Sequence, residues 1–165
     1  MSATMQINEV VELDNAMPSS ALESLPAIVQ QVLSHLHQDG DVALYVTTDA
    51  EVQYLNREYR GVDAPTDVLS FPGAPLAEEI AAYEGPYLGD IILAYPHTMR
   101  QARANNHDPH DEFVLLVVHG TLHLLGYDHD TPEAQQEMWD QQAELLKLLG
   151  VDLVVPDYIH QPEDS

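Results

Sequence analysis

The chain of 165 residues has no cysteine, which excludes disulfide bonds and any zinc site built from thiolates. Residues 1–6 lack the basic and apolar stretches of a secretory leader. Both absences fit a reducing compartment, so we expect a cytoplasmic protein. The strongly apolar run at residues 113–118 is too short for a bilayer, which requires roughly 20 residues. No membrane association is therefore expected.

Positive charge is also scarce, because 5 Lys and Arg residues stand against 28 Asp and Glu residues and give a formal net charge of −23. Non-specific binding to long duplex nucleic acid requires many cationic contacts to phosphates, so we expect no DNA partner. Most of the acids are interpreted as a solvated surface that keeps the protein soluble. Four of the five cations fall between residues 57 and 103, where they could form a local anion site: Arg57, Arg60, Arg100 and Arg103.

The hydrophobic pattern predicts one domain over residues 1–165, with a loosely packed tail from about residue 156. Alternating and helical periodicities follow in the order β-α-β-α-β-β-α-α-α, which predicts an α+β fold with a small mixed sheet of about four strands and about five helices. Within this order we expect a first strand at residues 5–13, one helix at 19–36 and a surface loop at 73–87.

A helix that is apolar almost all round is predicted to start at Asp108 and Pro109, which suit the N-cap and first helical positions. Such a helix belongs in the centre of the fold, buried on every side. Thr131 is predicted to start a last helix that ends at Gly150, with an apolar stripe formed by Met138, Leu145, Leu146 and Leu149.

Three histidines stand on and just after the predicted central helix. His119 and His123 are one helical turn apart and share a face, and Gly126 could turn the chain so that His129 joins them. Three imidazoles with a fourth position open describe a catalytic zinc site better than a structural one. Asp128 is equally compatible with accepting a hydrogen bond from a ligand imidazole and with capping a turn.

This spacing is that of the metzincin peptidases, H-E-x-x-H-x-x-G-x-x-H, with Gly120 in place of the glutamate that serves as general base. Peptide hydrolysis needs that carboxylate to move protons, so peptidase activity is disfavoured. Glycine inside a helix costs roughly 1 kcal/mol relative to alanine, so we expect close packing, or a substrate, at Gly120.

Arg60 precedes Gly61 at the predicted end of a helix. A cation there is favoured by the helix dipole whether or not it has a functional role. It could also bind an anion, such as a phosphate whose negative charge grows during reaction. The residues alone leave both interpretations open.

Three segments together resemble the YbeY family of ribosomal RNA maturation factors: LNREYRGVDAPTDVLSFP at 55–72, LGDIIL at 88–93 and HGTLHLLGYDH at 119–129. The resemblance spans about residues 55–150. It implies a zincin-like core, one zinc on His119, His123 and His129, and a functional Arg60. It also implies a single-strand-specific endoribonuclease that matures the 3′ end of 16S ribosomal RNA and takes part in ribosome quality control.

Three hypotheses follow. The first is a zinc-dependent endoribonuclease that acts on single-stranded ribosomal RNA, with Arg60 as the catalytic arginine. The second is a ribosome-assembly binding factor whose zinc mainly holds the fold, because the charge of −23 suits basic ribosomal or ribosome-associated proteins. The third is a metallopeptidase, which Gly120 disfavours.

Overall fold

The computed structural model describes residues 2–73 and 86–153. The strands are β1 (Ser2–Ile7), β2 (Asp41–Thr47), β3 (Val68–Pro72) and β4 (Tyr87–Ala94). The helices are α1 (Ser19–Leu22), α2 (Leu25–His35), α3 (Asp49–Arg60), α4 (Tyr95–Ala104), α5 (Pro109–Leu124) and α6 (Pro132–Leu148). The predicted tail from about 156 and most of the predicted loop at 73–87 lie outside the described residues.

The four strands form one mixed sheet in the order β1-β2-β4-β3. Strands β1, β2 and β4 are parallel, whereas β3 is antiparallel to β4 and pairs Ser70 with Ile91. Within the described residues, four strands and five helices of ten or more residues confirm the predicted α+β class with a mixed sheet. The zincin-like character of the core stays a prediction.

Strand β3 forms one edge of the sheet and divides its side chains between two layers. Val68 packs into the main core that contains the buried side chains of α5, while Leu69 joins a smaller cluster around Val52 of α3. Ser70 and Phe71 continue this alternation: the Ser70 hydroxyl donates to a carbonyl of α5, and Phe71 packs in the α3 cluster. Since successive residues of a strand face opposite sides, α5 and α3 lie on opposite faces of the sheet.

Helix α5 lies at the centre of the fold, as predicted. It contacts α2, α4, α6, β3 and β4, and it is buried without interruption from Glu112 to Leu122. Each large apolar side chain buried here stabilises the fold by roughly 1.5–3 kcal/mol. No helix in the described ranges combines the length and apolarity that a membrane span requires.

The predicted helix starts are confirmed by side-chain caps. The Asp108 carboxylate accepts from the backbone N–H of His110 at 2.9 Å, with Pro109 in the first turn of α5. The Thr131 hydroxyl accepts from the N–H of Ala134 at 3.1 Å at the start of α6. Each cap satisfies a backbone donor that has no partner within its helix and contributes about 1 kcal/mol.

The first strand was predicted at residues 5–13, and this is wrong because β1 ends at Ile7. Asn8 turns the chain: its side-chain oxygen accepts from the N–H of Val10 at 3.1 Å, and its backbone carbonyl accepts from Val11. Its amide also donates to Thr47 at 3.0 Å. These local bonds compete with strand pairing.

The single helix predicted at 19–36 is also wrong, because the segment forms two helices, α1 and α2, that break at Glu23 and Ser24. Pro26 explains the break. Its ring nitrogen has no hydrogen to donate, so it fits the first turn of a new helix and not the interior of a continuous one.

Candidate active site

The first two histidines of the motif meet on one face of α5. Their Nε2 atoms lie 3.2 Å apart, and the ring centroids are 4.6 Å apart with the planes nearly perpendicular. Two nitrogens bound to one tetrahedral zinc at about 2.0–2.1 Å would lie about 3.3 Å from each other. The spacing of His119 and His123 therefore fits a shared metal ligand pair.

The orientation of His119 is set by α6. His119 is fully buried, and its Nδ1 lies 3.0 Å from the Oε1 of Gln142, which is also buried. An amide oxygen only accepts, so Nδ1 carries the proton and Nε2 keeps its lone pair. Contacts of this kind fix the tautomer of metal-binding histidines.

Sequence reasoning missed Gln142. A signal was present, because this residue interrupts the apolar stripe of α6 between Met138 and Leu145. A polar side chain in a buried stripe requires a hydrogen-bonding partner. The partner of Gln142 is His119, one of the candidate metal ligands.

The third histidine follows the predicted turn. Gly126 has φ of 97°, and the N–H of Tyr127 donates to the carbonyl of Leu122 at 3.0 Å, which reverses the chain after α5. The ring of His129 lies against His123 with centroids 5.4 Å apart. Its Nε2 is buried and has no hydrogen-bonding partner.

Within residues 2–73 and 86–153, no three histidine, aspartate or glutamate side chains are placed together as a complete metal-binding group. The structure pairs His119 with His123 and places the His129 ring edge-to-face with His123, but the three rings do not form such a group. The donor set still fits zinc chemically, because it offers imidazole nitrogens, one of which is buried without a partner.

Burial keeps His123 neutral. Loss of solvent, followed by the neighbouring His129 ring, lowers the pKa of His123 to about 4, although the charge of Asp128 acts in the opposite direction. Arg60 is close enough to lower this pKa further. A neutral imidazole is the form that binds a metal, so His123 is ready to act as a ligand at neutral pH.

Asp128 adopts the turn-capping role that the sequence left open. Its carboxylate accepts from the backbone N–H of His129 at 2.7 Å. It thereby fixes the chain next to the third histidine.

The absence of a side chain at Gly120 allows α5 to pack closely against the sheet. A Cβ atom on Gly120 would lie 3.0 Å from the Ser70 Oγ and 3.2 Å from a side-chain carbon of Ile91. The Ser70 hydroxyl also donates to the Gly120 carbonyl at 3.2 Å. The close element is therefore the β3–β4 pair, and a metzincin glutamate would collide with it.

A cavity of about 380 Å³ opens beside His123. Arg60 lines the same cavity from the last position of α3, where Gly61 ends the helix in the left-handed conformation with φ of 73°. The cavity crosses the edge of the sheet at β3, so it combines side chains from both layers. Its lining residues are Tyr59, Arg60, Ser70, Phe71, Pro72, His123, Gly126, Tyr127 and Asp128.

The arginines outside the cavity have acidic or aromatic partners. Arg100 pairs with Asp49 at 2.6 Å, and Arg103 pairs with Asp14. Arg57 lies over the ring of Tyr54, 5.4 Å from its centroid. Of the four clustered arginines, Arg60 is the one that lines the cavity beside His123.

His107, which lies outside the motif, is also largely buried. Its side chain is 11% exposed, and its Nδ1 lies 3.3 Å from the carboxylate of the fully buried Glu112. This contact lies at the start of α5, whereas the histidine pair lies near its end. His107 therefore does not contribute to the cavity lining.

A larger groove of about 640 Å³ lies away from the histidines, along the ends of β1 and β2 and beside α3. Its lining includes the acids Glu9, Glu51 and Asp90 and neither arginine nor histidine. This groove suits an anionic substrate poorly. We assign the candidate active site to the smaller cavity, where His123 of the histidine motif and Arg60 meet.

Known proteins have sequences and a structure similar to those of this chain. The sequence profile of the family described as Endoribonuclease YbeY matches residues 9–150. Endoribonuclease YbeY of Shouchella clausii (strain KSM-K16) is 38% identical over 156 residues, covering 86% of this chain and 95% of that protein. The protein of the same name from Bacillus subtilis (strain 168) is 36% identical over 149 residues, covering 87% and 95%.

Among solved structures, the solution structure of TM1509 from Thermotoga maritima has a TM-score of 0.59 with this chain at 25% sequence identity. The similarity covers 99% of this chain and 95% of that one.

Proposed function

Since the chain belongs to the YbeY family of endoribonucleases, we propose that it hydrolyses phosphodiester bonds in single-stranded RNA at the cavity shared by Arg60 and His123. The proposed role is maturation of the 3′ end of 16S ribosomal RNA, together with ribosome quality control. The observation that carries the proposal is the meeting of a permanent cation, Arg60, and a neutral imidazole, His123, in one cavity. Hydrolysis of a phosphodiester requires a cation that binds the anionic phosphate and a group that activates water.

We propose that His119, His123 and His129 hold one zinc ion. Three features support this donor set: the 3.2 Å spacing of the first two Nε2 atoms, the fixed tautomer of His119, and the buried Nε2 of His129 that lacks a partner. When bound by three histidines, zinc supplies a water with pKa near 7 and a Lewis acid for a phosphoryl oxygen.

The contribution of Arg60 is electrostatic. Its guanidinium is always charged and offers several donors to phosphate oxygens. Negative charge on those oxygens increases in the transition state, so a donor already in place stabilises the transition state more than the substrate. With its pKa lowered to about 4, the His123 imidazole itself adds no positive charge opposite Arg60 at neutral pH.

The acidic surface shapes how RNA approaches. With a net charge of −23, the protein repels a polyanion at distances beyond the cavity. We therefore propose that a basic ribosomal or ribosome-associated protein presents the RNA. The substrate then meets the protein at the cavity lined by Arg60.

The test compares zinc content and cleavage of a defined single-stranded RNA among the wild type, His123→Ala and Arg60→Ala. We expect His123→Ala to lose both zinc and cleavage. Arg60→Ala should retain zinc and lose about 10²- to 10³-fold in kcat. Arg100→Ala is the matched control, since this arginine is paired with Asp49 outside the cavity. A folded His123→Ala protein that cleaves as fast as the wild type would contradict the mechanism.

A second candidate is an assembly factor that works by binding, with a zinc that mainly supports the fold. The net charge favours it, because an acidic surface suits basic partners. Cells that carry Arg60→Ala distinguish the two. Normal ribosome assembly despite lost cleavage would favour the binding role, whereas parallel loss of both would exclude it. The peptidase hypothesis has no support from Gly120, whose position faces the sheet.

A further inference from the structure

Tyr59 is an aromatic side chain that the fold leaves open to solvent beside the candidate active site. It is 72% exposed, more than the other tyrosine exposed on the same helix, Tyr54, at 48%. Tyr59 lines the cavity next to Arg60. An exposed aromatic at the mouth of a charged cavity has little effect on stability but is well placed to contact a ligand.

Phe71 supports Tyr59 from the edge of the sheet. The two ring centroids are 5.6 Å apart and the planes are inclined by 63°. An edge contact of this kind leaves the ring of Tyr59 open to solvent, in agreement with its 72% exposure. Phe71 is itself held in the cluster between α3 and β3, so it gives Tyr59 a fixed neighbour.

We propose that Tyr59, supported by Phe71, is a stacking platform for one unpaired base of the RNA whose phosphate lies at Arg60. The inference rests on the proposed function. Bases of single-stranded nucleic acid stack on aromatic side chains, while cations bind the adjoining phosphates. The two neighbouring side chains Tyr59 and Arg60 offer these groups at one cavity.

The platform gives a physical reason for single-strand specificity. A base in a duplex is already stacked and paired, so placing it on Tyr59 would require it to leave the helix. An unpaired base reaches the ring without that cost. Stacking also depends little on base identity, since every base has a π-face, so we expect weak sequence preference at this position.

The first measurement is steady-state cleavage of single-stranded RNA by zinc-loaded protein. We expect Tyr59→Ala to raise KM roughly five- to a hundredfold, with kcat within about threefold of the wild type. Tyr59→Phe and Tyr59→Trp should restore KM, whereas Tyr59→Leu should not. Tyr54→Ala is the matched control, because Tyr54 is an exposed tyrosine on α3 that does not line the cavity, and its KM should remain unchanged.

The second measurement identifies the stacked nucleotide. RNAs with one base removed at successive positions should raise the wild-type KM strongly at one position. Tyr59→Ala should be insensitive to base removal at that position, because the two changes delete the same contact and their effects do not add.

The outcomes separate this inference from the function on which it rests. A wild type that cleaves RNA, together with a Tyr59→Ala variant that matches its KM or that loses affinity additively with base removal, would overturn the stacking platform alone. A zinc-loaded wild type that does not cleave single-stranded RNA would overturn both.

Discussion

The Nδ1 of His119 and the Oε1 of Gln142 lie 3.0 Å apart in the interior, which joins the central helix to the last helix at the candidate metal site. Because Gln142 accepts a hydrogen bond from the Nδ1–H of His119, the unprotonated Nε2 of His119 faces His123. A residue that does not belong to the histidine motif thus prepares one of its members for metal binding.

We predict that Gln142→Leu lowers zinc affinity about 10- to 100-fold, since it removes the acceptor that orients His119. Competition with a chromophoric chelator measures this directly and requires no substrate. Gln136→Leu on the exposed side of α6 is the control and should leave the affinity unchanged. Equal affinities for Gln142→Leu and the wild type would show that the contact does not position the ligand.

Gly120→Ala is expected to destabilise the protein despite the better helix propensity of alanine. The gain in propensity is about 1 kcal/mol, but the new Cβ would crowd Ser70 and Ile91, and overpacking of a core costs about 1–3 kcal/mol. We expect a net loss of about 1 kcal/mol in the free energy of urea unfolding. In a Ser70→Ala background the loss should shrink, because the nearest atom, the Ser70 Oγ, is absent. An identical loss in both backgrounds would place the strain elsewhere.

Asp67 should make stability fall as pH rises through the mildly acidic range. Burial raises its pKa from 3.8 to about 6, and the charge of Glu112 adds to the increase. The folded protein therefore holds this proton more tightly than the unfolded chain. Protonation of Asp67 therefore adds to the free energy of unfolding. This contribution is complete below about pH 4, decreases between about pH 4 and 6, and is absent above about pH 6. The shift corresponds to at most about 3 kcal/mol.

Asp67→Asn tests this linkage, because it keeps the shape of the side chain and removes the charge. We expect the variant to be more stable than the wild type at pH 7.5, by about 1–3 kcal/mol in urea unfolding, and the difference to shrink toward pH 4. Asp152→Asn, at an exposed position, is the control and should show a small and constant difference. A difference for Asp67→Asn that does not change with pH would exclude a raised pKa.

Salt should affect RNA cleavage in the direction opposite to that of a basic nuclease. The net charge of −23 repels RNA over a Debye length of about 30 Å at 10 mM salt but only about 8 Å at 150 mM. We predict that kcat/KM of the isolated protein rises as salt increases across this range. A steep fall, as counterion release produces for proteins with many phosphate contacts, would indicate a cationic surface wider than Arg60.

The features that could be predicted from sequence are those set by local spacing. The caps at Asp108 and Thr131, the turn at Gly126 and the pairing of His119 with His123 all depend on residues close together in the chain. The errors arose where one side chain redirected the backbone. The turn at Asn8 and the helix break before Pro26 each ended a hydrophobic pattern that continued in the sequence.

The rest of the site depends on contacts between distant segments. The reason for Gly120 lies on β3 and β4, and the partner of His119 lies on α6. The sequence alone could suggest that Gly120 needs space and that a buried histidine needs a partner, but not which residues meet these needs. The meeting of Arg60 with His123 likewise follows from the position of β3 between their helices.

The alternation along β3 makes the site more sensitive to a change in chain length than to most substitutions. Ser70 faces α5 and Phe71 faces the cluster with α3. Deleting one residue before Ser70 within this strand would shift the following residues by one position, which would place the Phe71 ring against Gly120 and Pro72 next to Tyr59. A deletion that leaves every histidine and arginine intact would thus dismantle both halves of the cavity, so relatives of this chain should vary in length outside this strand and not within it.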